Sequence, residues 1–234
     1  MLGAQALPRL WCFANPTTTY YTIDRTRSSD VVRDFLKEDF DGILVSDFYS
    51  VYNVVEMSQR QVCLAHLLRE LKKVDENNQS EEWQSFRRAI RRLLSDALKL
   101  GARTDRDAPD YASKRQRLQA RLDELIAVEQ GDADCRRLQK RLLKHRESVF
   151  KFLDEPLVPP DNNRAEREIR PAVIARKNSF HNMSDAGAET QARMMSIYRT
   201  LKLRGLNPLE TLAHALAEYV EKGDIPPMPR APSP

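Results

Sequence analysis

The sequence predicts an α/β chain in which a short sheet section is followed by a much longer helical one. Three observations carry this reading. As far as Leu64, short runs rich in aromatic and β-branched residues alternate with helical stretches, the pattern of a sheet with helices packed on it. From about Leu67, apolar residues recur at helical spacing instead. With 234 residues, 41% hydrophobic and 31% charged, the chain is long and apolar enough to bury a core.

Leu10–Ala14 and Thr18–Ile23 read as two strands, and Asn15-Pro16 between them is a turn signal, so a hairpin is expected. Ser28 or Ser29 can cap a helix running to about Asp39, with Val31, Val32, Phe35 and Leu36 on its apolar face. Gly42 opens a short strand, Ile43–Ser46, that delivers Asp47 at its end. A helical stretch around Tyr49–Val55 and a strand over Gln61–Leu64 follow. Trp83, Phe86, Ile90, Leu93, Leu94, Ala97 and Leu98 then mark a helix. Two further runs, Leu118 to Ile126 and Leu138 to Leu153, continue the pattern, broken at Gly101 with Pro109 and at Gly131. Sustained heptads are absent, which favours a compact bundle over a coiled coil.

Pro156, Pro159 and Pro160 form a stiff connector ahead of Asn162-Asn163 and a new helix, which Pro171 is expected to end or kink. Ser184 begins a long helix with Met194, Ile197, Tyr198 and Leu201 inward, and Gly205 supplies its left-handed stop. Asn207-Pro208-Leu209-Glu210 starts the last helix and Gly223 ends it. The resulting division is a sheet section over 9–69, a helical insertion over 70–153, carboxy-terminal helices over 154–222 and a proline-rich tail over 223–234.

Three widely spaced cysteines, Cys12, Cys63 and Cys135, argue against a disulfide scaffold, and a reducing cytosol is the simplest compartment. No apolar run approaches the ~20 residues of a membrane span. The net charge of +4 is unevenly spread: −4 over residues 1–86, +7 over 87–150 and +5 over 164–204. Two basic blocks suit a polyanion such as nucleic acid, although solvated arginine faces are the commoner meaning of such runs.

Asp47, a carboxylate at the carboxyl end of a strand, sits where open α/β sheets bind ligands and can hold a hard cation; capping the next helix is an equal alternative. Glu166, three residues after Asn163, reads first as part of a capping arrangement. Around it, Arg164, Arg167 and Arg170 could instead hold a phosphate backbone. Cys63-x-x-His66 suggests a metal, but no second paired spacing supplies the remaining zinc ligands, and a structural cysteine with a hydrogen-bonded histidine is favoured. Phosphate loops, nucleophile elbows and dinucleotide fingerprints are absent from the sequence.

Three ordered blocks, Leu44–Asn53, Cys63–Leu71 and Asn162–Pro171, closely resemble the bacterial insertion-sequence-66 transposase family. Ser184–Ala188 and Arg199–Pro208 are similar to its carboxy-terminal signature, and the resemblance spans about residues 9–222. It implies an RNase H-like mixed sheet carrying a large helical insertion, and a DDE-type site for DNA cleavage and strand transfer. Two Asp and one Glu would hold Mg²⁺ or Mn²⁺, with Asp47 matching the second Asp and Glu166 the Glu. Cys63 and His66 match a motif expected to brace the site. Arg164, Arg167, Arg170, Arg176 and Lys177 are the expected DNA contacts.

The implied partners are transposon ends and target DNA, with self-assembly on paired ends; a membrane and a small-molecule substrate are not expected. One departure stands out. The family's first Asp belongs to a strand ahead of Leu10, and Met1–Pro8 contains no acidic residue. The resemblance therefore implies a carboxy-terminal portion that lacks its first strand and is inactive alone. A non-catalytic DNA-binding or assembly module, or a decayed remnant, is the alternative.

Overall fold

The computed structural model describes residues 9–38, 40–178 and 184–231, and of Met57, Arg176, Lys177 and Asn178 only the backbone. Among the described residues the protein is mixed α/β and mostly helical, with ten α-helices and two small two-stranded sheets. It divides into two compact units. One is Ser28–Asn162, and the other is formed by the chain on either side of it, through Arg27 and from Asn163.

The Ser28–Asn162 unit begins with α1 (Asp30–Leu36), which buries Val31 and Val32; the Ser28 hydroxyl accepts the Asp30 N–H at 3.1 Å. The helix stops short of the expected Asp39 because Lys37 takes a positive φ of 59°, a conformation that cannot propagate a right-handed helix. Asp39 itself lies outside the described residues. Strand β3 (Leu44–Ser46) pairs in parallel with β4 (Arg60–Val62), with Leu44 opposite Arg60 and Ser46 opposite Val62. Between them, the stretch expected as a short helix is a 3₁₀ turn over Ser50–Val54.

Six helices complete this unit: α2 (Leu64–Asp75), α3 (Glu81–Gly101), α4 (Pro109–Ala127), α5 (Ala133–Lys144), α6 (Arg146–Val149) and α7 (Lys151–Asp154). Trp83, Phe86, Ile90, Leu93, Leu94, Ala97 and Leu100 give α3 one continuous buried stripe. It joins Leu67 and Leu71 of α2, Leu118 and Leu122 of α4, and Leu138 and Leu142 of α5 in a single core. Fully burying each such leucine contributes about 1.5–3 kcal/mol. Helix starts are capped where the sequence supplies an oxygen: Ser80 accepts the Trp83 N–H, and Asp132 accepts those of Asp134 and Cys135. The buried Gln61 side chain couples sheet to bundle, donating to the Val149 carbonyl at 3.1 Å and accepting the Phe152 N–H at 2.9 Å.

The other unit contains the expected hairpin, β1 (Arg9–Ala14) antiparallel to β2 (Thr19–Asp24), with Ala14 opposite Thr19. Asn15 closes the turn: its N–H donates to the Thr18 carbonyl, and its side-chain oxygen accepts the Thr17 N–H, both at 2.9 Å. Three helices follow, α8 (Asn163–Asn178), α9 (Asp185–Leu203) and α10 (Pro208–Lys222). Helix α8 runs through Pro171 instead of ending there; the proline costs one ladder hydrogen bond, to the Arg167 carbonyl, and the helix continues for two more turns.

Helix α9 also differs from its sequence reading. Ala188, Ala192, Thr200 and Leu201 face inward, whereas Met194 and Tyr198 are about half exposed. The reason lies in what α9 covers. Thr200 Oγ1 accepts the Thr19 N–H at 3.1 Å and donates to the Thr19 carbonyl, and Ser196 Oγ accepts the Tyr21 N–H at 2.9 Å. Helix hydroxyls thus satisfy the open edge of β2, and only small side chains permit that approach. Gly205 and Gly223 adopt the positive φ expected of helix stops, 73° and 79°.

Candidate functional site

In the Ser28–Asn162 unit, the parallel pairing of β3 and β4 brings both carboxyl ends to the same edge, the position at which α/β sheets bind ligands. Asp47 follows β3 there, and Cys63 follows β4. The Cys63 N–H donates to the Ser46 carbonyl at 2.7 Å, which extends the ladder by one residue and sets Asp47 and Cys63 at the same level. Asp47 is half-buried. Its Oδ1 accepts the Tyr49 N–H at 2.9 Å, an Asx turn that fixes the carboxylate. Cys63 is fully buried, and its Sγ accepts the Asn162 N–H at 3.3 Å. With Leu64 N–H donating to the Pro160 carbonyl at 2.9 Å, this pins the proline connector to the start of α2. His66 lies in the first turn of α2, half-buried, with the Arg69 guanidinium 3.2 Å from its Nδ1.

Two residues that the sequence reading passed over belong to this edge. Arg60, at the start of β4, is completely buried; it donates to Asn53 Oδ1 at 3.0 Å and to Ser46 Oγ at 3.2 Å. Ser46 Oγ in turn donates to the Asp47 carbonyl, so a buried cation braces the turn that carries Asp47. Burial lowers the Arg60 pKa, and the Asp47 carboxylate acts in the opposite direction. His145 is also buried, edge-on to Phe48, with Nδ1 unbonded. Desolvation, followed by Arg60, Lys144 and Arg141, pushes its pKa down to about 4, so the ring is neutral near pH 7. An arginine in a strand of three and a histidine between helices give no sequence signal of burial.

In the other unit, α8 carries Arg164, Glu166, Arg167 and Arg170. The helix starts at Asn163, one residue earlier than a capping role for Asn163 requires. Spacings of three residues put the exposed Arg164, Arg167 and Arg170 on one face, and none has a carboxylate partner among the described residues. Glu166 is half-buried in the first turn. Glu168, two residues on, is the buried acid of this helix: its Oε2 receives the Arg199 Nε at 3.0 Å and the Thr19 hydroxyl at 3.4 Å. Burial and the Glu168 charge push the nearby Cys12 thiol up to about 12. The side chains of Arg176 and Lys177 lie outside the described residues.

All three cysteines are free thiols. Among the described residues, no helix is long and apolar enough to cross a membrane.

Comparison with known proteins gives this arrangement a lineage. Two proteins of Sinorhizobium fredii, named only as uncharacterized proteins y4qI and y4jD, are 28% and 26% identical to it over 91% and 94% of the chain. The chain spans about half the length of these curated relatives, 44% of the first and 46% of the second. No solved structure matches it. The family model described as "Transposase IS66 family" matches residues 3–190, a stretch that takes in the sheet edge, the helical insertion and α8. The chain belongs to the IS66 transposase family.

Proposed function

We propose that this chain carries two carboxylates of a DDE-type, RNase H-like transposase site, Asp47 and Glu166, acting on DNA with divalent metal ions. DDE transposases typically use such ions, and a transposase domain implies a role in transposition and binding to DNA. The observation that carries the reading is the position of Asp47 at the carboxyl edge of a parallel strand pair, held by an Asx turn and braced from behind by buried Arg60.

The donor chemistry fits a hard cation, because both groups offer carboxylate oxygen and Mg²⁺ or Mn²⁺ prefers oxygen ligands. When bound, such an ion activates the attacking oxygen and stabilises the leaving oxygen of a phosphodiester. Asp47 and Glu166 would be its protein ligands. Cys63 holds the chain at Asn162, four residues before Glu166, and His66 stands one helical turn beyond Cys63; both brace the site in this reading. Arg164, Arg167 and Arg170, with Arg176 and Lys177 further along α8, orient the DNA backbone.

Two carboxylates are one fewer than the DDE set, so we infer metal binding without cleavage for residues 1–234. Mn²⁺ titration of the chain tests this directly. Asp47→Asn or Glu166→Gln should weaken binding at least tenfold. Adding an Asp-bearing strand ahead of Leu10 should yield Mn²⁺-dependent nicking of transposon-end DNA. Nicking that survives Asp47→Ala or Glu166→Ala would reject these residues as ligands.

A further inference from the structure

We propose that Arg141, in the last turn of α5, is a positioning residue for Asp47 and acts through the ring of Phe48. The proposal rests on the reading of Asp47 as a metal ligand and goes beyond it, since it gives the helical insertion a part in setting that ligand. Phe48 is the middle residue of the Asx turn in which the Asp47 carboxylate accepts the Tyr49 N–H. Such a turn is closed by a single hydrogen bond between its ends. Whatever fixes its central side chain therefore limits how far the carboxylate can swing.

The end of α5 grips that side chain. The Arg141 guanidinium carbon lies over the Phe48 ring, 5.4 Å from its centroid, which is cation–π range. The His145 ring meets the Phe48 ring edge to face, with centroids 5.2 Å apart and planes at 80°. Arg141 is held in turn from a third element, because Glu70 of α2 pairs with both Arg141 and Arg137. Helix α2, helix α5 and the turn after β3 thus meet at one aromatic ring. From the opposite side, buried Arg60 holds Ser46, whose hydroxyl donates to the Asp47 carbonyl. Arg60 fixes the backbone before the turn, and the Phe48 contacts fix the turn itself.

Two simpler accounts leave part of this arrangement unexplained. If Arg141 served only as the partner of Glu70, it would duplicate Arg137, which supplies Glu70 with a cation one turn earlier on the same helix. If Phe48 only filled the margin of the core, where it packs half-buried, an aliphatic side chain would do as well. An aromatic face is required only by the guanidinium that lies on it.

The test uses the full chain and two readouts. One is hydrogen exchange of the Tyr49 amide without metal, taken relative to the amides of Ile90 and Leu93 in the buried stripe of α3. The other is Mn²⁺ affinity followed by electron paramagnetic resonance. Arg141→Met removes the cation and leaves Glu70 paired with Arg137, so the fold should persist. Phe48→Leu removes the ring and keeps apolar bulk. Each should quicken Tyr49 exchange about fivefold and weaken Mn²⁺ binding by a similar factor. Arg141→Lys and Phe48→Tyr, which keep a cation and a ring, should stay within about twofold of the parent. If either readout is unmoved in Arg141→Met and Phe48→Leu, or the conservative variants lose as much, the proposal is overturned. Asp47→Asn separates the two levels of the reading. Where it weakens Mn²⁺ binding and the Arg141 and Phe48 variants do not, the metal ligand stands and the positioning role fails. Where it leaves Mn²⁺ binding unchanged, the metal reading fails and the positioning role with it.

Discussion

Two glutamates stand two residues apart on α8, and their replacement by alanine should have very unequal consequences for stability. Glu168 is 6% exposed at its side chain and shares Oε2 with the Arg199 guanidinium, which is 27% exposed and approaches to 2.9 Å. Removing one partner of a fully buried ion pair costs about 3–5 kcal/mol. Water reaches Arg199, so the penalty falls to about 2–3 kcal/mol, and the higher helix propensity of alanine returns about 0.5 kcal/mol. The expected net loss for Glu168→Ala is about 2 kcal/mol, roughly a thirtyfold fall in the folded-to-unfolded ratio. Glu166 is half-buried in the first turn, where the helix-dipole part of its contribution, about 0.3–1 kcal/mol, is nearly cancelled by alanine's propensity, and it lacks the deep burial that makes loss of Glu168 costly. The protein has two tryptophans, Trp11 and Trp83, one in each compact unit. Urea unfolding followed by Trp11 fluorescence in a shared Trp83→Phe background therefore reads the α8 unit alone. If the two variants unfold within 0.5 kcal/mol of each other, or Glu166→Ala is the weaker, the division into a structural and a functional glutamate is wrong.

Acid should destabilise the Ser28–Asn162 unit partly through His145. The unfolded ring titrates near 6.5 and the folded one at about 4, so as pH falls the unfolded chain takes up the proton first. The stability held above pH 6.5 is lost between 6.5 and 4, by roughly 3 kcal/mol in all. His145→Gln should flatten the urea midpoint over that range relative to the parent; parallel profiles would show that the imidazole does not charge on unfolding. At Gly101, an added Cβ would stand 2.4 Å from Cε2 of the buried Phe152 ring. Gly101→Ala should therefore cost about 1–3 kcal/mol in denaturant unfolding despite alanine's better helix propensity, and a stabilised variant would mean that the ring moves freely.

How much of this was legible in the sequence depended on range. Asn15-Pro16, Gly205 and Asn207-Pro208 act through their own backbones, and the hairpin turn and helix limits they announce are found where expected. Features set by distant partners were not legible. Met194 and Tyr198 were expected inward because they are large and apolar, but α9 turns Ala192, Ser196 and Thr200 toward the edge of β2, where hydroxyls and close approach matter more than size. Arg60, His145 and Glu168 are buried charged or titratable groups, and nothing within a few residues of them shows why burial is tolerated. Glu168, for example, meets Arg199 across 31 residues. The candidate residues themselves, Asp47 and Glu166, were legible only as members of longer ordered blocks; singly, each read equally well or better as a helix cap.

The split of one unit by the other bears on how the chain folds. Ser28–Asn162 is built mainly from helices joined by short turns, so many of its contacts are local, and its longest closures, such as Cys63 to Asn162 across 99 residues, are little more than half as long as that of Thr19 to Thr200. The unit around it cannot close until α9 has been made, since Thr19 meets Thr200 across 181 residues. During synthesis at about 5–20 residues per second, β1 and β2 wait on the order of ten seconds for the helix that covers them. Until then the edge of β2, whose N–H groups later meet Ser196 and Thr200, is an unpaired strand open to other chains. The completed insertion shortens that wait in space, because a folded Ser28–Asn162 segment has far fewer conformations to lose than a flexible loop of the same length.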